Sequence, residues 1–472
     1  MEIRDPVHGT LNLADEEVEI LESRAFQRLR QIKQLGFAEF SFPGATHNRY
    51  IHSVGASHIA SEIFDRIFKN YKFSSKTARR RFRQCLRLAV LLHDVGHGPL
   101  SHASEEVMPP LRDLKIDAYK NLRTEMGIKA TSSKNATSKK TTGSHSKKSD
   151  NSKSTNDKLK SIKPFNENRQ ANHEDYTIKF ITDSSLTQII KKTFSDILPI
   201  HIACLVDKQL ACPDDFFIDQ KIDFRSLLSQ IVSSELDADR LDYLERDAYF
   251  CGTNYGRIEL EWILNNLSYH QVGNEMFLAL NRRALYAFDD FLLARHHMNL
   301  MVYFHHKSII YEEMLMNYLT DKSCTFRLPA DIEKYLEFTD YSLYQHLSGQ
   351  SNEWARRISE RKIYRVLFEQ HTTAENSGQR LKRMQKIIEK EGIPVIYASS
   401  SIRLSKYHGG SSIEKNFPIF VVDHYDRLAV PYPIEQTTAI FQKYDEIRQI
   451  DRIYVPPEMH KRADKIIVSK KL

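Results

Sequence analysis

The 472-residue sequence predicts a mainly α-helical core followed by a smaller α+β lobe. Three observations carry that expectation. Apolar residues recur at helical spacing from about residue 15 to 320, the final third carries short β-branched and aromatic runs, and one Lys/Ser/Thr-rich stretch interrupts the helical part. With 41% hydrophobic and 10% aromatic residues, the chain can bury one large core and a smaller second one.

Residues 1–13 read as a short strand or hairpin, with Asp5-Pro6 and His8-Gly9 as turn signals. Phe26, Leu29, Ile32 and Leu35 then form an apolar helical stripe. His47-Asn-Arg49-Tyr-Ile-His52 opens a helix whose apolar positions are Ile51, Val54, Ile59, Ile63 and Ile67. A further apolar helix runs through Leu88-Ala-Val-Leu-Leu into His93-Asp94. Residues 129–165 have almost nothing apolar to bury and are expected to be a disordered insertion, looping out between His102 and His173. Ser233 to Asp247 reads as a capped helix with Leu236, Leu241 and Leu244 inward, and Leu260, Ile263 and Leu267 form another helical stripe.

Beyond these the pattern changes. A charged helical stretch near 353–391 precedes Ile393-Pro-Val-Ile-Tyr and Phe417-Pro-Ile-Phe-Val-Val, then a helix near 434–448 and Ile453-Tyr-Val. The expected division is a catalytic core over 1–325, containing the insertion, and an α+β lobe over 326–472.

The net charge of +7 invites a nucleic-acid partner, but residues 131–160 hold eight lysines and two aspartates and so account for +6 of it. The basicity belongs to a solvated spacer, and nucleic-acid binding is not favoured. The five cysteines are widely spaced and form no CxxC pair, which suits reduced thiols and a cytoplasmic setting. No apolar run is long enough to span a bilayer, and the charged start does not resemble a signal peptide.

His93 and Asp94 place an imidazole and a carboxylate side by side at the end of a buried helix, the rigid setting a chelating pair needs. His52 supplies a third ligand candidate and Asp239 a fourth, so three helices can build one metal centre. Nitrogen and oxygen donors without a nearby thiolate suit a divalent iron, manganese, zinc or magnesium ion. Such a centre hydrolyses phosphate esters. His97, His102 and His173, oriented by Glu105 and Glu174, can move protons, and Arg49 and Arg240, on the same elements as His52 and Asp239, can clamp phosphates.

The blocks Arg4-Asp-Pro-Val-His-Gly, Phe26-Gln-Arg-Leu-Arg-Gln-Ile-Lys-Gln-Leu-Gly36, Phe42-Pro-Gly-Ala-Thr-His-Asn-Arg-Tyr-Ile-His52-Ser, His93-Asp-Val-Gly-His-Gly-Pro and Asp237-Ala-Asp-Arg-Leu-Asp-Tyr resemble the HD-domain deoxynucleoside triphosphate triphosphohydrolases. The likeness is to the SAM-and-HD-domain type, without a recognisable SAM domain, and reaches to about residue 310. It implies attack of water on the α-phosphorus, releasing deoxynucleoside and tripolyphosphate. His52, His93, Asp94 and Asp239 match the metal ligands, and His97, His102 and His173 match the catalytic histidines, with Glu105 where an aspartate is usual. Gln34, Leu35, Tyr243 and Asp247 match positions that hold the sugar, and Arg49 and Arg240 match phosphate contacts. Glu22, Gln27 and Arg30 fall where relatives read an activating guanine nucleotide, GTP or dGTP, at a subunit boundary, which implies a homo-oligomer, dimer or tetramer.

Two other functions fit the same core. One is a metal-dependent phosphodiesterase or nuclease, which leaves the Gln34 and Tyr243 matches without a purpose. The other is a nucleotide sensor or nucleic-acid-binding module, against which the intact ligands and acid–base groups count.

Overall fold

A computed structural model describes residues 1–120, 166–372, 378–402, 417–426, 428–437 and 448–470. The insertion expected over 129–165 lies outside the described residues, as does most of the helix expected near 434–448, of which Ile434–Gln436 forms one short turn. The architecture is helix-rich, with a smaller sheet-containing C-terminal region. Among the described residues no helix is long and apolar enough to cross a membrane.

Strands β1 (Glu2–Asp5) and β2 (Gly9–Asn12) form the expected N-terminal hairpin, turned by Asp5, whose Oδ1 accepts the backbone N–H groups of Val7 and His8. Helix α1 (Arg49–Ile67) starts at Asn48, whose side chain accepts from the Ile51 N–H. Helix α2 (Lys76–Leu92) starts at Ser75 and opens on a basic, partly exposed turn. Its last five residues, Leu88 to Leu92, are each fully buried. Each leucine or valine there contributes roughly 1.5–3 kcal/mol relative to exposure, which anchors the His93–Asp94 end.

Helix α3 (His173–Thr182) docks under that end: Thr177 Oγ1 donates to the His93 carbonyl and accepts from the Gly96 N–H. A Cβ on Gly96 would stand 2.1 Å from the His173 carbonyl oxygen, so only glycine permits this approach. Helix α4 (Ala238–Cys251) crosses α1 at Gly55, where a Cβ would come within 2.2 Å of Asp242 Oδ1.

Four local expectations change. The stripe from Phe26 to Leu35 is not one helix: an α-turn over Arg24–Gln27 and a 3₁₀ turn over Arg28–Gln31 give way at Ile32 to extended backbone, because Lys33 pairs with Asn48. The helix expected from Ser233 begins at Ala238, capped by Asp237, whose side chain accepts from the Arg240 N–H. Past the short antiparallel strands β3 (Ile218–Asp219) and β4 (Ile222–Asp223), Leu267 ends its helix and opens strand β5 (Leu267–Val272), which turns at Gly273 into β6 (Glu275–Asn281). The charged stretch 353–391 is split by β7 (Arg365–Thr372), with a helix at Glu353–Ser359 before it and α5 (Gly378–Lys390) after it.

Strand β8 (Ile396–Ile402), β9 (Phe420–Val422) and β11 (Arg448–Val455) realise the expected C-terminal strands, and β10 (Tyr432–Pro433) pairs with β9. The order β7-β11-β8 is antiparallel throughout. Strand β9 runs parallel to β6, so one sheet joins residues 275–281 of the helical part with residues 420–422 of the C-terminal region. The main core runs from Leu11 to Tyr454, and a second, smaller one gathers Leu381, Met384 and Ile388 with Ile453, Val455 and Ala463.

Candidate metal centre

The end of α2, the first turn of α1 and the first turn of α4 converge. His52 Nε2 lies 3.0 Å from Asp239 Oδ1 and 3.6 Å from Asp94 Oδ2, and His93 Nε2 lies 3.4 Å from Asp94 Oδ1 and 3.5 Å from Asp239 Oδ1. The ligand atoms of His52, His93 and Asp94 all fall within 4.8 Å of one another.

The other face of each ring is already committed. His52 Nδ1 sits 2.7 Å from Asp242 Oδ2, and His93 Nδ1 sits 2.6 Å from the Val90 carbonyl. Both Nε2 atoms are buried without a hydrogen-bond partner. Unpartnered imidazole nitrogens aimed at two carboxylates are what a divalent cation requires, so these residues fit one.

Electrostatics agree with a cation site. Burial would pull His52 down, yet the adjacent carboxylates of Asp239 and Asp242 outweigh this and raise it to about 10. Burial would raise Asp94 and Asp239, but Arg49, His93 and His97 hold the first well below the usual carboxylate range, and His52 and His93 hold the second there. Two carboxylates kept ionised against desolvation concentrate negative charge where a metal would compete with protons.

Behind His52 lies a network that sequence patterns did not single out. Asp242 accepts from Arg246 at both oxygens, each at 2.8 Å, and its Oδ1 meets His8 Nε2 at 2.7 Å. Arg246 also donates to Asp5 at 2.8 Å, and all three charged side chains are buried. The Asp5-Pro-Val-His8 turn is therefore an outer support of the centre. In the sequence it showed as a turn and as part of a motif block, with nothing to tie it to His52.

The three histidines gather beside the ligands. His97 and His173 stack with centroids 3.9 Å apart, and His102 lies 5.1 Å and 4.9 Å from them. Glu105 Oε1 contacts His173 Nδ1 at 2.5 Å and His102 Nδ1 at 3.1 Å. Burial opposes ionisation of Glu105, but those two bonds lower it to about 2. His97 is pushed well below its ordinary value, first by burial and then by Arg49 and His173. Glu174 does not join them: one residue beyond His173 it is rotated about 100° around α3 and is exposed.

Arg49 reaches the centre but is engaged there, pairing with Asp94 Oδ2 and donating to Ser101 Oγ at 2.9 Å. Arg240 lies 3.6 Å from Glu235 and 3.8 Å from Asp237, with Nη1 buried and not hydrogen-bonded. Gln34 pairs its N–H with the His47 carbonyl at 3.1 Å, leaving a buried, unpartnered Oε1, and Leu35 beside it is half-buried. Asp247 accepts from the Tyr303 hydroxyl at 2.7 Å and meets His47 Nε2 at 2.8 Å, and the Tyr243 and Tyr303 rings are 6.4 Å apart. Tyr303 and His47 thus join Asp247 in one cluster. Glu22, Gln27 and Arg30 stand apart: Arg30 donates to Gln27 at 2.8 Å and lies 3.6 Å over the Tyr50 ring, and Glu22 is exposed.

Two other features are distinct from this centre. The cavity of about 1180 Å³ is lined by His306, Lys307, Arg356, Arg361, Lys362 and Arg365 and contains none of the ligands. His201, Cys212 and Asp214 also cluster, but His201 Nδ1 accepts the Leu198 N–H, so Nε2 carries the proton toward Asp214 and is not free to ligate.

Comparison with known proteins agrees with this geometry. The HD domain family matches residues 49–187, and the HD associated region matches residues 260–392. The chain is an HD-domain protein, and it is similar to proteins named deoxynucleoside triphosphate triphosphohydrolases. It is 28% identical over 304 residues to an uncharacterized protein of Bacillus subtilis, covering 64% of this chain and 51% of that one. It is 26% identical over 402 residues to the deoxynucleoside triphosphate triphosphohydrolase of Gallus gallus, covering 77% and 55%, and 40% identical over 109 residues to that of Homo sapiens, covering 23% and 17%. The chain spans about half the length of the curated relatives it matches. In fold it is similar to a hypothetical protein from Aquifex aeolicus (TM-score 0.69, 23% identity, 99% of both chains) and to a phosphohydrolase from Bacteroides thetaiotaomicron (TM-score 0.64, 19% identity, 96% and 99%).

Proposed function

We propose that this chain hydrolyses deoxynucleoside triphosphates to deoxynucleoside and tripolyphosphate at the centre formed by His52, His93, Asp94 and Asp239, and that a guanine nucleotide, GTP or dGTP, activates it. The observation that carries this is the conjunction of two orphaned imidazole nitrogens with the buried, unpartnered Gln34 Oε1 on the segment paired to His47–Arg49. A phosphodiesterase needs the first feature and has no use for the second. Similarity to proteins named deoxynucleoside triphosphate triphosphohydrolases supports the same choice.

A divalent iron, manganese, zinc or magnesium ion on these ligands would polarise a phosphate oxygen and acidify its water. Arg240, with an unbonded Nη1, is suited to a phosphate oxygen, and Arg49 can exchange Asp94 for one. Glu105 fixes His102 and His173 through Nδ1, which turns each Nε2 outward to deliver a proton to the leaving sugar oxygen. Gln34, Leu35, Tyr243 and Asp247 together hold the sugar, reading its 3′-hydroxyl and excluding a 2′-hydroxyl. Glu22, Gln27 and Arg30 supply the guanine contacts, between copies of the chain in a dimer or tetramer. The basic cavity beside His306 and Arg361 is chemically suited to a polyphosphate. The setting is cytoplasmic, in keeping with cysteines that are all free.

The test is product analysis of the metal-loaded chain with each dNTP, with and without GTP or dGTP. Tripolyphosphate plus deoxynucleoside is the expected result. Turnover of a phosphodiester and of no dNTP would replace this function with the phosphodiesterase one.

A further inference from the structure

Between His97 and His102 the backbone takes two consecutive left-handed residues, Leu100 at φ 53° and Ser101 at φ 59°. Neither is glycine, and side-chain-bearing residues persist in that region only when surrounding groups hold them. Ser101 is held by Arg49, which donates to its Oγ at 2.9 Å, and by the Lys33 carbonyl, which lies 3.3 Å from the same oxygen. Leu100 is held by a residue far along the chain: its N–H donates to Asp340 Oδ1 at 2.7 Å.

The second oxygen of that carboxylate is also used. Asp340 Oδ2 accepts the Lys33 N–H at 2.9 Å. Asp340 is 2% exposed and opens the helix Asp340–Ser348 behind its cap Thr339. Lys33 directly precedes Gln34 and Leu35, so one buried carboxylate, itself far along the chain, bonds the backbone of two separate segments that line the centre. Neighbours on the same stretch do likewise. The Tyr335 hydroxyl donates to the Gly96 carbonyl at 2.8 Å, and Arg28 donates both to the Phe338 carbonyl at 3.0 Å and to the His97 carbonyl at 2.6 Å.

We propose that Asp340 is a positioning residue of this centre, whose carboxylate sets the register between the substrate-facing segment Lys33–Leu35 and the histidine loop Gly96–His102. The role rests on the hydrolase function proposed above, and Asp340 itself touches neither metal nor substrate. Both N–H groups need an acceptor, because an unpaired buried donor is unfavourable. A carboxylate offers an oxygen to each. Asparagine offers one oxygen and would turn an NH₂ toward the other N–H, alanine offers none, and glutamate keeps both oxygens one methylene further out.

The experiment compares Asp340→Asn, Asp340→Ala and Asp340→Glu with wild type in the metal-loaded full chain, by amide hydrogen exchange, metal content and kcat with KM. In the alanine variant, exchange in the peptides holding Lys33 and Leu100 is expected to quicken roughly tenfold or more, while α1 and α4 keep their protection and the metal stays at wild-type stoichiometry. The same variant should lose kcat more than KM, and glutamate should restore most of the protection. Unchanged exchange in both segments, or an equal loss across α1 and α4, overturns the proposal. Where alanine prevents folding, asparagine gives the decision through the same exchange measurement, since it should release one of the two segments. If wild type turns over no dNTP, the hydrolase function fails, and the exchange result still judges Asp340.

Discussion

Asp242 Oδ2 stands 2.7 Å from His52 Nδ1, so the ring whose Nε2 faces the candidate metal is oriented by a carboxylate that is itself gripped by Arg246 and His8. Asp242→Asn keeps the shape but removes the charge that favours His52 Nδ1–H. Outer partners of this kind typically govern metal affinity by tenfold to a hundredfold, and a loss of about that size is expected by competition titration. Asp242→Ala should in addition destabilise the fold by about 3–5 kcal/mol, because Arg246 is left buried with half its partners. Unaltered metal affinity in the asparagine variant would remove Asp242 from the site.

His93→Ala and Asp239→Ala should each abolish stoichiometric metal binding and turnover. Both act at the tip of a helix held by contacts that do not involve them: buried Leu88–Leu92 behind His93, and buried Leu241 and Leu244 with the Asp242–Arg246 pair behind Asp239. The helical circular dichroism of either variant should therefore match wild type. Full activity in either one contradicts the ligand assignment.

The candidate ligands His93 and Asp94 were legible because chelation leaves a local mark, an imidazole and a carboxylate adjacent at the buried apolar end of a helix. Asp340 leaves none: it is a single carboxylate whose partners Lys33 and Leu100 lie far away in sequence, and nothing in its neighbours separates it from a solvated charge. Asp5 and Asp242 stand inside motif blocks, but no local pattern shows that they meet through Arg246 behind His52. Asp237 resembles part of an acidic face but is a cap, since an N-cap and a first-turn acid share the same residue preferences. The hairpin β5–β6 was hidden for a related reason: Leu260, Ile263 and Leu267 satisfy a helical period, although strand alternation begins at the last of them. Glu174 stands outside the histidine cluster because adjacency in sequence is not adjacency on a helix.

Glu105→Gln tests the proton relay separately from the metal. The carboxylate touches both His102 and His173 with one oxygen and is held ionised at about 2. Glutamine retains an acceptor but loses the charge. Turnover should fall between about tenfold and a thousandfold, with KM and metal content little altered, and the pH–rate profile should shift as the two imidazoles lose their counter-charge. A fall in KM-limited binding with kcat intact would mean that Glu105 serves substrate binding instead.

The pH dependence of stability should carry the signature of Asp340. Burial raises its carboxyl to about 6 from an ordinary 3.8, and the N–H groups of Leu100 and Lys33, with the Lys33 and Arg28 charges, pull it back only in part. The folded chain therefore keeps a proton that the unfolded chain releases between about pH 4 and 6. The stabilisation is complete below the unfolded value and is lost as pH rises through the folded one, a swing on the order of 3 kcal/mol for a shift of about two pH units. Asparagine cannot titrate, so the difference in unfolding free energy between wild type and Asp340→Asn should shrink across that window and flatten above pH 7. Denaturant unfolding at half-unit pH steps measures it. A difference that is constant from pH 4 to 7 would mean that Asp340 meets enough water or positive charge to ionise normally.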